Sequence, residues 1–87
     1  MLGKMQAIDL SLIPADARWV SQNYSGLWNA YRFPPRLCPT RCRWIPDIPQ
    51  DTPTPIGISR HCNPFFFKTL FTVDEIRFIL TKENHHD

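Results

Sequence analysis

Cys38 and Cys42, in the stretch CPTRC, and the adjacent pair His61 and Cys62 are the side chains of this sequence best suited to chemistry. Thiolates and imidazoles are the ligands of structural zinc, and Cys-x3-Cys lies within the usual spacing. Adjacent residues of an extended chain point to opposite sides, so His61 and Cys62 reach one ion together only if the backbone turns there. The favoured reading is free thiols with no metal and no cofactor. A structural zinc held by Cys38, Cys42, His61 and Cys62, in a small zinc-stabilised adaptor, is the alternative. Three cysteines, an odd number, fit reduced thiols better than a disulfide framework. A nucleophile pair, with His61 activating Cys38 or Cys42, has no identifiable third orienting group or oxyanion hole. With three glycines there is no phosphate-cradling loop. Asp74 and Glu75 read as acids at a helix start. The chain is therefore not read as an enzyme.

A second constellation is distributed rather than clustered. Between Asp16 and Asp47 there is no acidic residue, and all the charges there are arginines: Arg18, Arg32, Arg36, Arg41 and Arg43. The last four are interleaved with Trp28, Tyr31, Phe33 and Trp44. Guanidinium forks bind phosphate or carboxylate at two points and stack on rings. Trp28, Arg32, Arg36, Arg41, Arg43 and Trp44 form the expected partner-binding set. An acidic protein surface fits it, because Trp and Arg are the usual interface anchors. Single-stranded nucleic acid, with rings stacking on bases, is the second fit. A solvated positive face over an ordinary core, with Trp19, Tyr31 and Phe33 inside, is the plain alternative.

These residues need elements to position them. RWVSQ, NYSG and LWNAYRF read as a β-hairpin over residues 18 to 33. Asn23 opens the turn and Gly26 supplies the left-handed position that a type I turn plus bulge requires. Leu27, Asn29, Tyr31 and Phe33 share one face of the second strand, and Trp28, Ala30 and Arg32 the other. We expect the first face to pack on FFFKTLF and the final helix, and Trp28 and Arg32 to be exposed. Pro34 and Pro35 end the strand. A third strand is expected around Arg41 to Ile45, a proline-rich loop at PDIPQDTPTP, and a fourth strand at IGISR. TVDEIRFILTKEN reads as a helix. Thr72 and Glu75 have capping-box spacing, and Val73, Ile76, Ile79 and Leu80 fall on one face. The fold class is thus α+β: a small antiparallel sheet of three or four strands with a C-terminal helix. Residues 1–17 read as an N-terminal arm holding a short edge strand in AIDLSLIP and one helical turn at ADA. Residues 18–83 form the single domain, and residues 84–87 a frayed tail.

Size and composition bound the function. Eighty-seven residues make one domain at most. Its thin core buries only about 60–65% of the unfolded surface. Nine prolines argue against a helical bundle. No run approaches the roughly 18 apolar residues of a membrane span. Asp9 interrupts the apolar N-terminal stretch too early for a signal peptide, so a cytoplasmic location is expected, with no membrane partner.

The order of Trp19, Gly26, Trp28, Phe33, Pro34, Pro35, Trp44, Asn63, Pro64, Phe65 and Leu70 resembles small accessory proteins of tailed phages and prophages. The resemblance covers residues 16 to 71. It departs at the turn, where Asn23 and Ser25 stand in place of the usual aspartates. It implies a binding protein acting in the host cell, one that inhibits or modulates a host protein or ribonucleoprotein. A defence complex is one example, as for anti-CRISPR-like inhibitors. A nucleic-acid-binding module is the alternative function.

Overall fold

The expected hairpin forms from Trp19 to Tyr31. Strand β1 (Trp19–Gln22) pairs antiparallel with β2 (Leu27–Tyr31), Trp19 opposite Tyr31 and Gln22 opposite Trp28. Gly26 closes the turn at φ +97°, its N–H donating to the Asn23 carbonyl at 2.9 Å. A Cβ there would lie 2.9 Å from the Ser59 carbonyl oxygen, so glycine is required by both conformation and space. The computed structural model of the chain describes residues 7–84.

Two further strands extend the hairpin. In order, β3 (Arg36–Cys38) and β4 (Arg43–Ile45) come next and form a separate two-stranded sheet. β5 (Thr54–Ile58) then pairs with β2, and β6 (Phe71–Thr72) pairs with β1. The main sheet therefore runs β5-β2-β1-β6, antiparallel throughout. Ile56 is an extra residue opposite the Trp28–Asn29 step, a β-bulge, and it is fully buried. Helix α1 (Val73–Asn84) follows directly on β6. Its capping box is made in both directions: Thr72 N–H donates to Glu75 Oε1 at 2.8 Å, and Glu75 N–H donates to Thr72 Oγ1 at 3.0 Å. The fold is α+β, as the sequence pattern implies. Of the expected tail 84–87, Asn84 ends the helix and residues 85–87 lie outside the described residues.

Both faces of the main sheet are covered. Val20, Trp28, Ala30 and Ile56 pack with Val73, Ile76 and Leu80 of the helix and with Ile8, Ile13 and Ala17. On the other face Tyr31, Trp44 and Phe66 form a second cluster, joined by Trp19, Leu37 and Leu70. Two expectations are corrected here. The helix covers the Trp28 face rather than the Tyr31 face. Trp28 is 1% exposed and tilts against Phe71 at 6.4 Å. The alternation rule assumes one wet face, whereas a sheet sandwiched between two layers buries successive residues on both sides.

The segment before β1 is built into this core. Ile8 bridges Gly57, and Asp9 N–H donates to the Ile56 carbonyl at 2.8 Å. In place of the expected short edge strand there is this single bridge, after which Leu10–Leu12 form a 3-10 turn capped by the Asp9 carboxylate. The Ser11 hydroxyl and N–H both donate to that carboxylate, which holds its pKa below the usual value. At ADA, Ala17 N–H donates to the Pro14 carbonyl at 3.1 Å, closing a single turn.

Candidate functional site

The six residues expected to bind a partner have three different fates. Trp28 and Trp44 are buried, which corrects the expectation that they stand on the surface. Trp44 is held on three sides. Its N–H donates to Asn23 Oδ1 at 2.7 Å, its indole N–H to the Phe66 carbonyl at 3.1 Å, and its own carbonyl accepts from the Tyr31 hydroxyl at 3.5 Å. Burial raises the Tyr31 phenol pKa above its usual value.

Arg32 and Arg36 are exposed but engaged within the chain. The proline-rich loop folds back and delivers a carboxylate to each. Asp51, 2% exposed, accepts the N–H groups of Arg32 at 3.2 Å and Phe33 at 3.0 Å, with Arg32 Nε at 3.6 Å. The Arg32 guanidinium also donates to the Gln50 carbonyl at 2.9 Å. Arg36 Nε lies 3.3 Å from Asp47. Arg41 and Arg43 are exposed, and among the described residues neither guanidinium has a hydrogen bond or ion pair.

The aromatic rings that do reach solvent come from elsewhere. A buried polar network pins residues 63–69 to the turn end of the sheet. Asn63 Nδ2 donates to Gln22 Oε1 at 2.8 Å, and Gln22 Nε2 donates to the Gly26 carbonyl and to Ser59 Oγ, each at 3.0 Å. The Thr69 hydroxyl accepts the Gln22 N–H at 3.0 Å and donates to the Phe66 carbonyl at 2.6 Å. Asn63 Oδ1 accepts the Phe65 N–H at 3.0 Å and starts the 3-10 turn Phe66–Lys68. A satisfied network of this kind fixes one geometry. It turns Phe66 inward and leaves Phe65 60% and Phe67 46% exposed.

The result is a connected aromatic surface. Phe65 and Phe67 lie 6.3 Å apart, and Lys68 Nζ stands 5.9 Å from each ring. Phe67 meets Phe66 edge-on at 5.9 Å, and Phe66 meets the exposed Tyr24 edge-on at 6.4 Å. Tyr24 joins the neighbouring segments through its backbone: its N–H donates to the Cys42 carbonyl at 3.0 Å, and its carbonyl accepts from Asn63 N–H at 2.8 Å. The turn, residues 39–45 and residues 59–68 thus meet at one end of the sheet. They carry Arg41, Arg43, Arg60 and Lys68 and no acidic residue. FFFKTLF, expected to pack under the first face of the hairpin, thus buries Phe66 but not Phe65 or Phe67. Its legible signal was that three consecutive phenylalanines cannot all face one way.

The thiols lie around the same end. Cys38 is half-buried, Cys42 and Cys62 are exposed, and all three are free. His61 is exposed. Cys42 adopts φ +56°, the left-handed region. Among the described residues no three His, Cys, Asp or Glu side chains come together as a metal-binding group, so Cys38, Cys42, His61 and Cys62 are not gathered into one ligand set. Among the described residues no helix is long and apolar enough to cross a membrane. Comparison with known protein families, with curated proteins and with solved structures finds no match to this chain.

Proposed function

We propose that this chain is a non-enzymatic binding protein that grips an acidic surface of a partner protein. Its contact face consists of Tyr24, Phe65, Phe67 and Lys68, flanked by Arg41 and Arg43. The observation that carries the reading is the exposed Phe65–Phe67 pair with Lys68 against both rings, on segments whose sequences hold no Asp or Glu. Rings left in water are costly unless a partner covers them, and aromatic anchors beside guanidinium groups are the usual centres of binding energy. The resemblance to phage accessory proteins supports a host protein or ribonucleoprotein, in the host cytoplasm, as the partner to be inhibited or modulated.

A protein partner is favoured over bare nucleic acid by the charge arrangement. Arg32 and Arg36 are committed to Asp51 and Asp47, which leaves a small cationic cluster rather than a track along a phosphate backbone. The test is affinity capture from a bacterial lysate, with and without nuclease, followed by titration of the captured partner. Phe67→Ala and Arg43→Ala, each checked for an unchanged fold, should weaken a nuclease-resistant interaction by about 30-fold or more, the ~2 kcal/mol expected of an anchor. Arg36→Ala should have little effect. A partner lost on nuclease treatment would defeat the reading. So would oligonucleotide binding with a log–log salt slope near −3, about 0.7 for each of four phosphate contacts. Equal binding by all variants would defeat it too.

A further inference from the structure

The proposed contact face makes no use of the thiols, and two of them share one turn. Cys38 ends β3 and directly opposes Arg43, the first residue of β4. The loop between them is the 3-10 turn Pro39–Arg41 followed by Cys42. Paired residues across an antiparallel ladder have Cα atoms about 4.5–5.5 Å apart, and a disulfide spans about 4.4–6.8 Å. Cys42 is one residue from the position opposite Cys38. Both sulfurs bind the same turn: Cys38 Sγ lies 3.6 Å from Thr40 Oγ1, and Cys42 Sγ lies 3.8 Å from the Pro39 carbonyl oxygen.

We propose that Cys38 and Cys42 form a redox-active dithiol that closes into a disulfide across the mouth of the β3–β4 loop. The oxidant class is a low-molecular-weight disulfide such as glutathione disulfide. Cys38 is the attacking thiol. The Thr40 hydroxyl hydrogen bond, then the Arg41 backbone N–H, and to a lesser degree the positive charges of Arg41 and Arg36, hold its pKa below the ordinary thiol value, which raises the thiolate fraction at neutral pH. Its attack breaks the S–S bond of glutathione disulfide, forms a Cys38–glutathione bond and releases one glutathione thiolate. Cys42, having given up its proton to solvent, then attacks Cys38 Sγ and releases the second glutathione. In sum, two protein thiols lose two electrons and two protons, and one disulfide is reduced to two thiols. Cys62, in another segment, is the internal control.

The experiment is to incubate the full chain with glutathione disulfide at neutral pH, quench by alkylation, and read intact mass and non-reducing peptide maps. Trypsin cuts after Arg41, between the two cysteines, so the linked peptides report the bond directly. The wild type should give the Cys38–Cys42 bond with Cys62 alkylated. Cys42→Ser should accumulate glutathione on Cys38, and Cys38→Ser should form no internal bond. Thr40→Val should slow alkylation of Cys38 by several-fold while leaving Cys62 unchanged. A stable mixed disulfide on wild-type Cys38, a bond to Cys62, alkylation of all three thiols at equal rates, or a Thr40→Val variant with unchanged rates would each overturn the proposal.

Discussion

Replacing Trp28 by alanine separates a core tryptophan from a docking one. Trp28 lies on the helix face of β2, packed beside Phe71 and among Val20, Ile56 and Ile76. Truncating a fully buried indole removes its transfer energy and leaves a cavity, a cost of about 3–5 kcal/mol. A chain of this length has roughly 4–13 kcal/mol of total stability, so the substitution removes a large share of it. For a domain of this size each kcal/mol is worth about 4–8 °C in Tm, which predicts a fall of at least ~12 °C. Urea denaturation followed by circular dichroism measures the change, and Trp28→Phe, which refills most of the space, should lose less than half as much. A Trp28→Ala variant that keeps its urea midpoint while losing a binding partner would refute the placement of this ring in the core and restore it to the surface.

Three further substitutions test the elements around the site. Gly57→Ala would drive a Cβ into the Ala7 carbonyl oxygen. The segment must then lift, losing the Asp9–Ile56 hydrogen bond and the burial of Ile8, so a loss of about 2–3 kcal/mol and faster proteolysis ahead of Pro14 are expected. Thr72→Ala removes the side-chain half of the capping box and should cost about 1 kcal/mol by chemical denaturation. Tyr31 carries a raised phenol pKa, so its neutral form is favoured in the fold. That contribution is complete below the ordinary value of about 10 and is lost as pH rises through the folded value. Tyr31→Phe should therefore flatten the alkaline limb of a stability–pH curve, and an unchanged limb would contradict the assignment.

What the sequence made legible was local. Asn23 and Gly26 specify the hairpin turn by backbone chemistry alone, and the Thr72–Glu75 pair marks the helix start by a side-chain geometry confined to one turn. What it concealed depends on distant contacts. Arg32 and Arg36 look free along the chain, and only the return of the proline-rich loop brings Asp51 and Asp47 to them. Trp28 and Tyr31 alternate as a half-wet strand would, yet a helix covers one face and the β3–β4 sheet the other. Phe65 and Phe67 look like core until the Gln22–Asn63–Thr69 network fixes which of the three rings turns inward. Arg41 and Arg43 are exposed, as their charge implies, whereas Trp28 and Trp44 are buried and the exposed rings are Phe65 and Phe67.

The way the sheet ends has a bearing on self-association. One margin, β6, is only two residues long and runs straight into the helix. The other, β5, carries Pro55 and is overlaid by the stretch from Ile8 to Asp9. Short, proline-bearing or covered margins deny a neighbouring molecule the unpaired ladder it needs for strand addition. A protein that displays bare phenylalanines has therefore closed its main sheet to the backbone route into fibrils. Losing the overlay, by cleavage behind Asp9 or by a side chain at Gly57, would open a β-branched edge and turn a sticky surface into an aggregating one.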